Sequence, residues 1–319
     1  MFLGTSGSAP TAQRAASATL IRRGGERLLV DCGEGTQRQL LRSDVGLVDL
    51  EEIFLTHLHA DHVLGLPGML KTFALRGRDV PVTVYGPSGT RGLLGELRRI
   101  VGRVTYGLDV VELEPGQTLE RDGYVLMPVS VEHGVPAIGY ALVEHERPGR
   151  FDVDVADRLG VPDGPARGAL QRGESIDLPD GSTVRPDDVL GPARAGRTVV
   201  LTGDTAPCAA VVEAAAGAEL LVHEATFLAD EAERAHETGH STAAAAAAIA
   251  RDAGVKLLAL THVSNRYGGG AVEEEARDVF AATVVPRDFD VIDLPLPERG
   301  VPELIARGAR RGRPGVPSA

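Results

Sequence analysis

The stretch Ile53-Phe54-Leu55-Thr56-His57-Leu58-His59-Ala60-Asp61-His62 constrains this chain more than any other. Its short apolar run predicts a buried strand. The strand opens directly into three histidines and an aspartate within six positions. Side chains alternate sides in extended backbone, so His57 and His59 can converge on one point, while Asp61 and His62 approach from another angle where the chain turns into a helix. Nitrogen donors with a carboxylate suit zinc, and a catalytic zinc keeps one position open for water. Taken alone, Asp61 could simply cap the following helix. Three histidines in one turn of loop have no such explanation, and the stretch predicts a metal site.

Further candidates stand at other predicted strand ends. Val125–Val131 delivers His133, Thr198–Leu201 delivers Asp204 behind Gly203, Leu220–Val222 leads into His223 and Glu224, and Leu257–Leu260 delivers His262. A carboxylate such as Asp204 can bridge two cations with its two oxygens, which one imidazole nitrogen cannot do. His240 precedes Ser241, a natural N-cap for the alanine-rich helix that Gly254 stops. The N-terminal Gly4-Thr5-Ser6-Gly7-Ser8 reads as a strand end entering a turn whose amides could approach an anion.

The His-x-His-x-Asp-His string resembles the first metal motif of the metallo-β-lactamase superfamily, and Asp31-Cys32-Gly33-Glu34-Gly35-Thr36-Gln37 resembles the signature of its RNase Z branch. The resemblance runs from about Phe2 to about Leu296. It implies an α+β chain folded as a four-layer αββα sandwich with an inserted projecting arm. It also implies a zinc-dependent endoribonuclease that cleaves the 3′ trailer from precursor tRNA, leaving a 3′-OH on the tRNA and a 5′-phosphate on the trailer. By the same resemblance, His57, His59 and His133 would hold one Zn2+, and Asp61, His62 and His262 the other, with Asp204 bridging. Asp61 counts among the catalytic residues as well. His240 would be the general acid, Glu224 would orient it, and Asp31 would accept the outer N–H of a ligand histidine. Manganese and iron are open alternatives, although His59 stands where the di-iron branch usually has glutamate. A homodimer is also implied, with the arm of one subunit serving the site of the other.

The chain departs from the family in the loop that carries Pro-x-Lys-x-Arg-Asn. Here it reads Pro10-Thr11-Ala12-Gln13-Arg14-Ala15, keeping Arg14 but neither the lysine nor the asparagine. Arg14 is retained as a substrate-binding candidate. Residues 147–197 lose apolar periodicity and fill with proline, glycine and mixed charge. A loop that long without core pattern is uncommon unless it has a function or is disordered. Its Gly160-Val161-Pro162-Asp163-Gly164-Pro165-Ala166-Arg167-Gly168-Ala169-Leu170 resembles the family's tRNA-gripping arm, making Gly164, Pro165 and Arg167 substrate-binding candidates.

These readings divide the chain into a catalytic domain over 1–296, with 147–197 inserted, and a flexible basic tail over 297–319 ending in Arg307-Gly308-Ala309-Arg310-Arg311-Gly312-Arg313. No apolar run approaches the ~20 residues needed to cross a bilayer, and Met1-Phe2-Leu3-Gly4 lacks a secretory pattern. A cytoplasmic protein is expected. Cys32 and Cys208 are too few for a disulfide framework. The net charge of −12 argues against indiscriminate nucleic-acid binding and demands a local basic surface if RNA is the substrate. A hydrolase of small phosphodiesters would tolerate that charge but leaves the insertion idle. A non-catalytic RNA-binding subunit would not keep every ligand position filled.

Overall fold

The computed structural model describes residues 1–308; residues 309–319 of the basic tail lie outside them. The first sheet comprises β1 (Phe2–Gly4), β2 (Ala18–Arg23), β3 (Glu26–Val30), β4 (Glu52–Phe54), β5 (Val82–Gly86) and β6 (Leu108–Glu112), in that spatial order. Strands β3 to β6 run parallel and are linked by α1 (Thr36–Arg42), α2 (Ala60–Val63), α3 (Leu66–Leu75) and α4 (Thr90–Val101). Parallel pairing with helical crossovers explains why β4 is apolar without alternation: both of its faces are covered.

The second sheet begins with β7 (Leu119–Arg121), β8 (Tyr124–Ser130) and β9 (Ile138–Glu144), all antiparallel. The insertion follows, with α5 (Val153–Arg158), α6 (Pro165–Gln171), the two-stranded ribbon β10 (Ile176–Asp177) and β11 (Thr183–Val184), and α7 (Pro186–Val189). Its elements enclose a small apolar cluster of their own, built on Ala156, Val161, Leu170, Leu178, Val184 and Val189. The chain then returns through β12 (Thr198–Leu201), α8 (Ala209–Ala214), β13 (Leu220–Glu224), α9 (Ala232–Thr238), α10 (Ala243–Ala253), β14 (Leu258–Thr261), α11 (Gly269–Val279) and β15 (Thr283–Val284). The sheet order is β15-β14-β13-β12-β9-β8-β7, with β12 to β15 parallel.

Three large apolar clusters stack in layers. One lies between the first sheet and its helices, with Leu40, Leu70, Phe73 and Leu94 facing Ile53 and Val84. One lies between the sheets, around Phe54, Tyr85, Tyr124 and Tyr140. The third seats Ala246, Ala250 and Val272 on Val200, Leu221 and Leu258. This is the expected four-layer αββα sandwich. The alanine run of α10 is small because it packs directly on the second sheet.

Two boundaries differ from expectation. Strands β16 (Val291–Asp293) and β17 (Glu303–Ile305) pair as a ribbon, so residues 297–305, expected to begin the flexible tail, contribute a strand to the fold. Helix α10 is capped by Thr242, whose hydroxyl accepts from Ala245 N at 3.1 Å. Ser241, the expected cap, instead donates to Thr205 O at 2.7 Å and joins the helix start to the site. No helix among the described residues is long and apolar enough to cross a membrane.

Candidate metal centre

Parallel strands deliver their C-terminal ends to one edge, where open α/β sheets gather ligands. Strand β13 ends at Glu224, β3 and β14 lead directly into Asp31 and His262, and the loops after β4 and β12 carry His57 and Asp204, while the loop after the antiparallel β8 brings His133 beside them. The edge is made by close backbone approach. A Cβ on Gly203 would lie 2.5 Å from Thr56 Cβ, and Gly203 has φ 64°, so only glycine fits there. Asp31 and His262 are non-glycine residues with φ 62° and 55°, a conformation that the surrounding contacts must hold in place.

The candidate ligands converge. His57, His59, His133 and Asp204 have donor atoms within 4.8 Å of one another, as do Asp61, His62 and His262. Asp204 joins the two groups: its Oδ2 lies 3.6 Å from His57 Nε2 and 3.3 Å from His262 Nε2, and its Oδ1 lies 3.4 Å from His62 Nε2. Asp61 Oδ2 lies 3.2 Å from His262 Nε2.

Two carboxylates outside this ring aim the imidazoles. Asp31 accepts from His62 Nδ1 at 2.8 Å and from Thr56 Oγ1 at 3.0 Å, and Thr56 Oγ1 in turn accepts from His57 Nδ1 at 3.1 Å. Glu224 repeats the device. It accepts from His240 Nδ1 at 2.7 Å and from Thr226 Oγ1 at 2.7 Å, and Thr226 Oγ1 accepts from His262 Nδ1 at 2.8 Å. His133 Nδ1 donates to Gly239 O at 2.8 Å. The outer nitrogens are thereby committed, and the Nε2 lone pairs of His57, His62, His133 and His262 face inward, as metal-binding histidines require. Thr56 and Thr226 escaped the sequence reading. The only available signal was a hydroxyl one residue before His57 and two after Glu224.

The electrostatics suit a cation. Burial, then the neighbouring His62, pushes the pKa of His57 down to about 2. Burial also opposes charge on His62, but Asp204 and Asp31 outweigh it and hold His62 well above the usual range. Burial would raise the Asp204 carboxyl, yet His262 and His62 hold it well below the usual carboxylate range. Asp204 Oδ1 is buried without a hydrogen-bond partner. A buried carboxylate oxygen left bare among inward imidazole nitrogens is what a divalent ion satisfies. The residues fit the expected metal centre.

His240 also lies beside Asp204, with Nδ1 3.9 Å from Oδ2, and its ring stacks 5.5 Å from His262 at 20°. Asp204, His240 and His262 form a third grouping of possible ligands. The bond to Glu224 occupies Nδ1 and leaves Nε2 as the available atom. Burial lowers the His240 pKa, but Glu224 and Asp204 outweigh it and the net shift is upward. Glu224 is held rigidly, since it also accepts from Thr205 N at 2.9 Å and Thr226 N at 3.2 Å.

The substrate-binding candidates are placed differently. Arg14 is half-buried and donates to Thr5 Oγ1 at 2.6 Å and Pro286 O at 2.8 Å. Asp288, which the sequence reading missed, accepts from Thr5 Oγ1, Ala15 N and Gln39 Nε2 at 2.7–2.9 Å. Together they clamp the loop in which Ser8 N donates to Asp61 Oδ2 at 2.9 Å and Gly7 packs against His262. Arg14 thus braces two candidate ligands. Arg14→Ala is expected to lower stability by roughly 2 kcal/mol and to weaken metal retention; a rise in KM alone, with the melting temperature unchanged, would return Arg14 to a substrate-contact role. In the insertion, Gly164 and Pro165 are exposed at the start of α6, whereas Arg167 pairs with Asp157 and, at 2.9 Å, with Asp163. His145 and His236 are exposed and outside the cluster, and His223 is buried with Nδ1 donating to Glu224 O.

The family profile of the anti-Pycsar protein Apyc1 matches residues 1–92, the part that carries β1 to β5 and His57 to His62. A ribonuclease Z of Methanosarcina acetivorans is 45% identical over 298 residues, covering 92% of this chain and 97% of that one. One of Haloferax volcanii is 48% identical over 299 residues, covering 92% and 94%. The crystal structure of human tRNase Z, short form, superposes with a TM-score of 0.68 at 27% identity, covering 92% of this chain and 98% of that one. With relatives this similar along nearly their whole length, the chain belongs to the ribonuclease Z family.

Proposed function

We infer that this protein is a zinc-dependent endoribonuclease that removes the 3′ trailer from precursor tRNA. The observation that carries the reading is the two-lobed ring of inward donors joined by Asp204, in a chain of the ribonuclease Z family. His57, His59 and His133 would hold one Zn2+, and Asp61, His62 and His262 the other, with Asp204 between them. Bound there, such a pair supplies the charge that acidifies an attacking water and offsets the charge on the reacting phosphate.

The chain's own residues do the rest. Asp31 and Glu224 fix the imidazoles through Thr56 and Thr226, so little reorganisation accompanies the reaction. As water's oxygen bonds to phosphorus, the bond to the 3′ oxygen of the tRNA breaks. His240 gives its Nε2 proton to that oxygen, yielding a 3′-OH on the tRNA and a 5′-phosphate on the trailer. Glu224 and Asp204 shift His240 upward, which favours the protonated form a general acid needs. His240→Ala is expected to lower kcat by about 10²–10⁴-fold while the bound zinc per chain stays unchanged; loss of an equivalent of metal would make His240 a ligand instead.

The insertion over 147–197 serves as the tRNA-gripping arm. It leaves β9 at Glu144, the end remote from Thr56 and the metal edge, so it reaches away from its own site. That direction supports a homodimer in which arm and site come from different subunits. Leu41 and Leu64, 47% and 52% exposed beside Gly68, offer an apolar patch for the pairing. Both cysteines are free and buried, as suits a reducing cytoplasm. The reading is tested by stripping metal from the purified protein and restoring zinc. Trailer removal should stop and return; cleavage that survives full metal removal would refute it.

A further inference from the structure

A chain with net charge −12 that acts on RNA must concentrate its cations somewhere. Residues 66–105 carry seven lysines and arginines against two acids, Asp79 and Glu96. This is the stretch of α3, β5 and α4, on the outer face of the first sheet. Arg78 is used internally: it donates to the carbonyls of Val48, Val80 and Pro81 and lies over Phe73. The side chains of Lys71, Arg76, Arg98, Arg99 and Arg103 are exposed and make no ion pair or hydrogen bond among the described residues. Elsewhere most arginines are neutralised, as Arg23 and Arg197 are by Glu144 and Arg167 by two aspartates. Unpaired cations on an acidic surface await an anion.

These cations share one place. Arg98 and Arg103 line a groove of about 410 Å³ with Leu70, Leu94 and Leu97, and Lys71 Nζ lies 3.9 Å from where a Cβ on Gly102 would stand. Helix α4 also starts at the metal edge, since a Cβ on its cap Gly89 would lie 3.2 Å from Leu58 Cδ1, between His57 and His59. Arg91 and Arg98 are seven residues apart and share a helix face, and Arg99 lies about 12 Å further along the axis than Arg91. Arg91 donates to Val110 O at 2.8 Å, so the free cations begin at Arg98 and lead outward from the site. No aromatic side chain of this stretch is exposed, because Phe73, Tyr85 and Tyr106 are all buried. A single strand would call for stacking platforms, whereas a duplex backbone needs only charge.

We propose that the α3–α4 face is a second RNA-binding surface, contacting the phosphates of the paired tRNA body next to the cleaved end. It is separate from the arm and rests on the trailer-cleaving reading above. The test compares wild type with R98Q/R99Q/R103Q, and with K71Q/R76Q as an independent pair, on precursors carrying a one-nucleotide or a twenty-nucleotide trailer over 50–300 mM salt. The triple variant should raise KM about tenfold for both precursors and lower the salt slope of log(kcat/KM) by about 3, one for each lost phosphate contact. The pair should act in the same direction by about 2. An unchanged KM and slope in both variants overturns the proposal, and a defect confined to the long trailer reassigns the face to the single strand and overturns it equally. Should wild type leave the precursor intact while hydrolysing bis(p-nitrophenyl) phosphate, the parent reading has failed instead.

Discussion

Replacing Asp204 with alanine is expected to lower trailer cleavage by at least three orders of magnitude and to leave the protein with less than half its metal. Asp204 is the side chain whose two oxygens reach histidines of both ligand groups, at 3.3–3.6 Å. It is 3% exposed and is the only acid among the first group of candidate ligands. Without it, His57, His59 and His133 face His62 and His262 with no negative charge between them. Asp204→Asn keeps the volume and one oxygen, so it should retain part of the metal and stay well below wild-type activity. Metal content and kcat/KM measured on the same preparations decide the matter. Full metal occupancy with ordinary activity in Asp204→Ala would remove the bridge from the account.

Deleting the insertion should separate RNA recognition from chemistry. Phe151 and Leu190 form an isolated bridge at its base, so residues 153–189 can be replaced by a few glycines without moving the strands on either side. The insertion has its own apolar cluster, and none of those residues belongs to the three clusters of the sandwich. The truncated protein is therefore expected to melt close to wild type. It should hydrolyse bis(p-nitrophenyl) phosphate at a similar rate and lose about 10²-fold or more in kcat/KM on precursor tRNA, the scale set by losing one of two linked binding modules. Equal losses on both substrates would mean that the insertion supports the fold instead.

The gathering of the candidate ligands was legible in the sequence because they stand at the ends of short apolar strands, and strand ends in parallel sheets share an edge. The need for glycine at Gly203 was legible for the same reason. What stayed hidden depends on distant partners. Arg14 and Arg167 announce positive charge, but nothing local reveals Thr5 and Pro286, or Asp157 and Asp163, as the groups that take it up. Strand β9 was missed because Gly139 interrupts its apolar run; the glycine is needed there, since a Cβ would lie 2.8 Å from Leu201 O. The insertion read as loop because helices of four to seven residues are too short to show a period. Ser241 and Thr242 are adjacent hydroxyls, and only the contact with Thr205 decides which of them caps α10.

Mapping both ends of the cut in a precursor tRNA tests the central claim most directly. The account predicts a zinc-dependent break between the tRNA body and its trailer, with 3′-OH on the former and 5′-phosphate on the latter, abolished in His59→Ala. A 2′,3′-cyclic phosphate on the tRNA, or an intact precursor beside ready hydrolysis of small phosphodiesters, would contradict it.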